Sequence, residues 1–148
     1  MGIYAERACE NFKNGYSCAQ SVLLAFSPVL NLDEDTILKL SSSFGGGMGR
    51  MREVCGAVSS MLMVAGLLNG FTSSGDMLGK TRHYQLVQNL SKKFEKVQGS
   101  IICRDILDLP AGWDSPLPSA RTDKYYSERP CESCIRTASE IIENELLK

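Results

Sequence analysis

The chain has 148 residues, 43% of them hydrophobic, with 16 basic against 17 acidic residues and a formal net charge of −1, enough material for one globular domain with a real core. The charges are interspersed and form no basic stripe of the kind that grips a phosphate backbone, which excludes nucleic acid as a partner. The most apolar run, Val54 to Leu68, is broken by Gly56, Ser59, Ser60 and Gly66 and falls short of the ~20 residues of a membrane span, so it reads as a core helix and not as a transmembrane segment.

The first residues carry no apolar stretch of signal-peptide length, which predicts a cytoplasmic protein. In that reducing compartment, six cysteines argue for metal, cluster or redox chemistry over structural disulfides. Helical spacing runs through nearly every segment without useful strand alternation. The expected fold is therefore all-α, a single-domain bundle of about six or seven helices over residues 1–148.

The first helix is expected from Ile3 to Lys13, with Tyr4, Ala8 and Phe12 on one face and Asn14-Gly15 ending it. Cys9 lies beside that stripe as a packing residue. Ser17 is an N-cap candidate for the next helix, which places Cys18 in its first turn and puts Cys18, Val22, Ala25 and Val29 on one face. Pro28 obscures where this helix stops. The acidic stretch Asn31-Leu32-Asp33-Glu34-Asp35 suits another helix start, with an end near Phe44.

Four of the five residues from Gly45 to Gly49 are glycine, so this backbone is free to take positive φ and to lie close against another group. It leads into the central apolar helix, with Cys55 expected in the first turn. A helix N-terminus, with Arg50 and Arg52 just upstream, favours the thiolate form of a cysteine placed there. Gly45, Gly46, Gly47, Arg50 and Arg52 are accordingly candidates for cradling a cofactor. The plain alternative is a turn followed by a small buried thiol.

Asn69-Gly70 closes the central helix, and Ser73 and Asp76 stand at capping-box spacing before the next. There Val87, Leu90, Phe94 and Val97 repeat at three and four, a line that extends back to His83. The single histidine reads as a boundary side chain bonded to a neighbouring carbonyl, with a proton relay or ligand beside the thiols as the alternative. Lys92, Lys93, Glu95 and Lys96 form a solvated face.

Ser100 is the expected N-cap of a short helix with Cys103 at its third position. Asp108 to Arg129, with Pro110, Gly112, Pro116 and Pro118, reads as a long surface loop that could cover a site, pinned by Trp113. The last helix begins at Pro130 and carries Cys131, Cys134, Ile135, Ala138, Ile142 and Leu146 on its apolar face.

Four helices are thus each expected to begin with a cysteine: Cys18, Cys55, Cys103 and Cys131. Their separations of 37, 48 and 28 residues match no compact zinc-finger spacing, so any metal site must be assembled by the fold. Converging helix starts suit thiolates around zinc or an iron–sulfur cluster, and suit disulfide exchange equally. Cys134 and His83 are secondary candidates as ligands.

Gly15-Tyr16-Ser17-Cys18-Ala19-Gln20, the Phe44 to Gly49 loop running on to Cys55-Gly56-Ala57, then Cys103-Arg104, then Cys131 ahead of Ala138-Ser139-Glu140 resemble the C_GCAxxG_C_C family of small proteins described as redox-active. The resemblance implies that Cys18, Cys55, Cys103 and Cys131 match the family's four cysteines, that Cys9 and Cys134 are extras, and that a transporter is an associated partner. One position departs from the pattern Cys-Gly-Ala-x-x-Gly: Ser60 stands where the final glycine belongs.

The reading that follows is a redox protein working with a partner protein or a small-molecule thiol or electron donor. Cys18, Cys55, Cys103 and Cys131 would serve dithiol/disulfide exchange or iron–sulfur electron transfer, with Arg50 and Arg52 tuning the potential. The alternatives are a zinc-stabilised bundle and a plain helical partner-binding module without catalysis. A bundle of this size suits a homodimer.

Overall fold

The computed structural model describes residues 2–147. Six of its helices have eight residues or more: α1 (Ile3–Lys13), α2 (Cys18–Ala25), α4 (Glu34–Ser41), α6 (Gly56–Asn69), α7 (Met77–Gln98) and α10 (Cys131–Leu146). Shorter pieces, α3 (Ser27–Leu30), α5 (Gly45–Met48), α8 (Cys103–Ile106) and α9 (Asp123–Glu128), join them. Among the described residues there is no β-strand, and the single extended pairing is an antiparallel bridge between Val54 and Ile102. No described helix is long and apolar enough to cross a membrane.

Local chemistry accounts for the helix starts. Ser17 and Gln20 form a reciprocal capping box, the Ser17 hydroxyl accepting from the Gln20 amide at 3.2 Å and the Gln20 side chain from the Ser17 amide at 3.3 Å. Asp33 caps α4 through the Thr36 amide. Pro28 does not kink α2; the chain ends that helix at Ala25 and restarts as α3 with proline in the first turn, where its missing N–H costs nothing. The start of α7 differs from expectation. Asp76 is itself the N-cap, accepting from the Gly79 amide at 2.8 Å, and no Ser73–Asp76 box forms.

The core lies where α1, α2, α6 and α10 meet, filled by Phe12, Leu23, Phe26, Met61, Ile135 and Ile142. Helix α6 is central as expected, although its last turn emerges and leaves Leu67 exposed. The stripe on α7 holds for only part of its length. Leu90 and Phe94 are buried, whereas Val97 is 66% exposed, because the last turn of α7 meets α10 through Gln98, which donates to Ser133 and Thr137, and leaves Val97 in solvent.

Ser60, at the position of the family glycine, is fully buried and donates to the Ala19 carbonyl of α2 at 2.6 Å. A hydroxyl therefore fills the α2–α6 crossing and finds its partner there. Ser60→Ala should lower stability by about 1 kcal/mol, the usual net worth of such a bond. Ser60→Leu should lower it by about 3 kcal/mol, because the crossing has no room for the added methylenes. Urea denaturation with an unchanged slope checks both.

Candidate functional site

The glycine segment is a left-handed turn. Gly46, Gly47, Met48, Gly49 and Arg50 have φ of 70°, 68°, 69°, 66° and 67°, and Arg52 follows at 62°. Glycine takes this conformation freely, but Met48, Arg50 and Arg52 do so at roughly 1–2 kcal/mol each. Bonds from the Gly49 amide to Gly45 (2.9 Å) and from the Glu53 amide to Gly47 (2.9 Å) hold the turn. A Cβ at Gly47 would lie 2.6 Å from the Cys103 Cβ and 2.8 Å from the Glu53 nitrogen, so the turn wraps directly around Cys103.

Beyond it, Glu53–Cys55 runs antiparallel to Ile101–Cys103. The Cys55 amide donates to Ile101 at 2.8 Å and the Cys103 amide to Glu53 at 2.6 Å, which places the two cysteines on neighbouring strands of chain. Cys55 is the N-cap of α6, one residue earlier than expected. Cys103 is the first residue of α8 and not the third. Ser100 bonds the Ile102 amide and the Asp105 carboxylate instead of capping that helix directly.

Cys18 and Cys131 are the first residues of α2 and α10. All four cysteines line one cavity of about 210 Å³, together with Gly45, Gly46, Arg50 and Arg52. Gly47 lies behind that wall, against Cys103. Two further residues at the cavity were under-read in the sequence. Gly56 must be glycine because a Cβ there would sit 2.6 Å from the Cys18 sulfur. Cys134 also lines the cavity, accepting a hydrogen bond from the Cys55 thiol and donating to Gln98 Oε1 at 3.6 Å.

Two candidates lie elsewhere. Cys9 packs between α1 and α10, its thiol facing the Glu132 carbonyl at 4.0 Å. His83 borders a separate depression beside Phe71, Asp76 and Arg82, its ring edge-on to Phe71. Its Nδ1 is buried without a hydrogen-bond partner, so the expected bond to a carbonyl is not made by that atom. Among the described residues no three His, Cys, Asp or Glu side chains lie close enough to hold a single metal ion.

The expected activation of Cys55 as a thiolate is overturned. Its hydrogen bond to Cys134 and its burial hold the proton, raising the thiol well above its ordinary range against the opposing pull of the Ala57 and Val58 amides. Burial, reinforced by neighbouring sulfurs, pushes Cys18 up to about 11 and Cys131 up to about 12. Cys103 is also raised by burial, although Arg52, with Nη1 3.6 Å from its sulfur, pulls the other way. Desolvation thus outweighs helix ends and arginines. The metal-free cavity holds neutral thiols.

The arginines also tie down the long loop. Asp114 accepts from Arg52 at 3.0 Å and from Arg50 at 3.3 Å, while Arg50 Nε donates to the Ser115 carbonyl at 2.6 Å. Farther along, Arg121 donates to the carbonyls of Phe12 and Tyr16 and stacks on Phe12 with its guanidinium 4.6 Å from the ring centre. The cover is therefore pinned by these polar contacts. Trp113 does not pin it, being 76% exposed. Pro118, Ser119, Arg121 and Tyr125 bring the segment over the cavity.

In reduced, metal-free protein, alkylation of Cys18 and Cys131 should be slow at neutral pH and rise only towards pH 11–12. The fold should lose stability over the same alkaline range, starting from the unfolded thiol value of about 8.5, since the unfolded chain gives up these protons first. Thermal unfolding against pH checks the sign. Arg52 holds the Asp114 carboxyl below the usual carboxylate range, so the tether stays charged at neutral pH and fails only as pH falls through that depressed value. Asp114→Asn should speed alkylation of Cys103 several-fold without changing helix content by circular dichroism.

A family model described as "Putative redox-active protein (C_GCAxxG_C_C)" matches residues 16 to 145. No curated protein and no solved structure matches the chain. With the match running over most of its length, the chain belongs to the C_GCAxxG_C_C family of redox-active cysteine proteins.

Proposed function

From that membership and the shape of the cavity, we propose that the protein is an electron carrier in which Cys18, Cys55, Cys103 and Cys131 hold an iron–sulfur cluster. The observation that carries this reading is that four cysteines from four separate elements ring one cavity whose wall contains no carboxylate. Among the described residues no three of these sulfurs lie close enough for one metal ion, which favours an extended group over a single zinc ion. Such a cluster would accept and release one electron at a time.

The chain's own groups suit that load. Buried thiols with raised proton affinity need a strong cationic partner before they ionise, and metal binding displaces their protons. Once ionised, three of the four sulfurs have hydrogen-bond support in place. The Gly46 and Ala19 amides serve Cys18, the Ala57 and Val58 amides serve Cys55, and Arg52 serves Cys103. Hydrogen bonds to sulfur and the exclusion of water by the 108–122 segment set the potential. Electrons come from a redox partner protein or a small-molecule donor.

The contact between Cys55 and Cys134 favours a second reading, dithiol exchange. There Cys55 and Cys134 would each lose a proton and together two electrons, forming one S–S bond while a disulfide substrate is cleaved to two thiols. The raised proton affinity of Cys55 works against it, since the thiolate is the attacking species.

Anaerobic reconstitution with ferrous iron and sulfide tests the choice. The cluster reading expects a brown protein with broad visible absorbance, lost in Cys18→Ser, Cys55→Ser, Cys103→Ser and Cys131→Ser and kept in Cys9→Ser and Cys134→Ser. A colourless product that instead forms a Cys55–Cys134 disulfide on oxidation, identified by peptide mass spectrometry, would establish the second reading and remove the first.

A further inference from the structure

We propose that the arginine-rich wall of the thiol cavity is a binding site for a small oxyanion, and that a compound bearing anionic oxygen is the substrate of this centre. The word substrate rests on the redox reading above; the binding site does not.

Four arginines, Arg50, Arg52, Arg121 and Arg129, line the cavity, and no Asp or Glu does. Asp114 serves both Arg50 and Arg52, which leaves an excess of three positive charges around a partly enclosed space. Arg121 bonds only neutral oxygens, the Phe12 and Tyr16 carbonyls and the Tyr126 hydroxyl. Arg129 stacks on Tyr125, its guanidinium 5.1 Å from the ring centre. Among the described residues neither has a carboxylate within ion-pair distance. Uncompensated guanidinium groups converging on low-dielectric walls focus a positive field into the space, and their planar donors match the oxygens of sulfate, phosphate or carboxylate.

The hydroxyls complete the polarity. Ser17 and Ser119 line the same cavity, and each uses its oxygen as an acceptor, from the Gln20 amide and from Arg50 Nη1 respectively. Their protons remain to donate to an anion. A neutral apolar ligand would strand this whole donor set, and a cation would be repelled by it.

Two of the four arginines, Arg121 and Arg129, are supplied by the segment from 108 to 129 that precedes the last helix. That segment closes over the thiols, so a bound anion would be held between it and the sulfur centre. A charged oxygen compound is thereby brought next to the atoms that exchange electrons.

The test is isothermal titration with inorganic sulfate and with phosphate at low ionic strength, run on the iron-loaded and the metal-free protein. Saturable binding by the loaded form is expected, weakened about tenfold in Arg129→Gln by loss of one charge-assisted contact. Arg129→Lys should retain more affinity than the glutamine variant, and Lys92→Gln, on the solvated face of α7, should match wild type. Binding that is equal in Arg129→Gln and wild type, or absent from both forms, overturns the site. In a protein that does take up iron, binding by the metal-free form but not by the loaded form also overturns it, because the arginines then merely balance the loaded centre. Arg129-dependent binding in a protein that never takes up iron keeps the anion site and removes the cluster.

Discussion

Two backbone hydrogen bonds, from the Cys55 amide to Ile101 and from the Cys103 amide to Glu53, join parts of the chain almost fifty residues apart and are too few to make a sheet. Their effect is local and large. They fix two cysteines side by side, and the left-handed turn before Glu53 folds back over Cys103. The glycines at 46, 47 and 49 accept that path without strain, and the cost falls on Met48, Arg50 and Arg52. A segment that carries strain on both of its arginines while aiming them at a sulfur and at a distant carboxylate is one whose shape is set by the site.

The chemistry of the thiols follows from depth more than from helix ends. Cys18, Cys103 and Cys131 begin helices and Cys55 caps one, yet every one of the four is held in the protonated form by its surroundings. Half a charge at a helix end, or one arginine at 3.6 Å, does not repay the desolvation of a thiolate in a wall crowded with other sulfurs. The cavity is therefore poorly suited to free thiolates.

Much of this was legible in the residues. The Asn14-Gly15 stop, the Ser17 cap, the acidic start from Asn31 to Asp35 and the proline before Cys131 mark helix limits through short-range chemistry, which the residues report faithfully. Convergence of the four cysteines rested on helix-start placement and on the family resemblance. Periodicity misled at the end of α7, because a repeating stripe records what could be buried and not whether a neighbour arrives to bury it: Val97 stays in solvent, while His83 sits half-buried at the boundary with its Nδ1 unpartnered. The tie between Asp114 and Arg52 spans 62 residues and leaves no local signal. Likewise nothing announces that methionine and arginine will adopt a glycine conformation. Ionisation was misjudged for the same reason, since burial is a property of the assembled fold.

Arg52 touches the Cys103 sulfur with one nitrogen and the Asp114 carboxylate with two others. One cation divided between two acceptors makes them thermodynamically reciprocal: whatever alters the charge on that sulfur alters the grip on the loop, and prising the loop away changes the proton affinity of the sulfur by the same free energy. Entry to the cavity and the electronic state of its wall are in this way two readings of a single equilibrium.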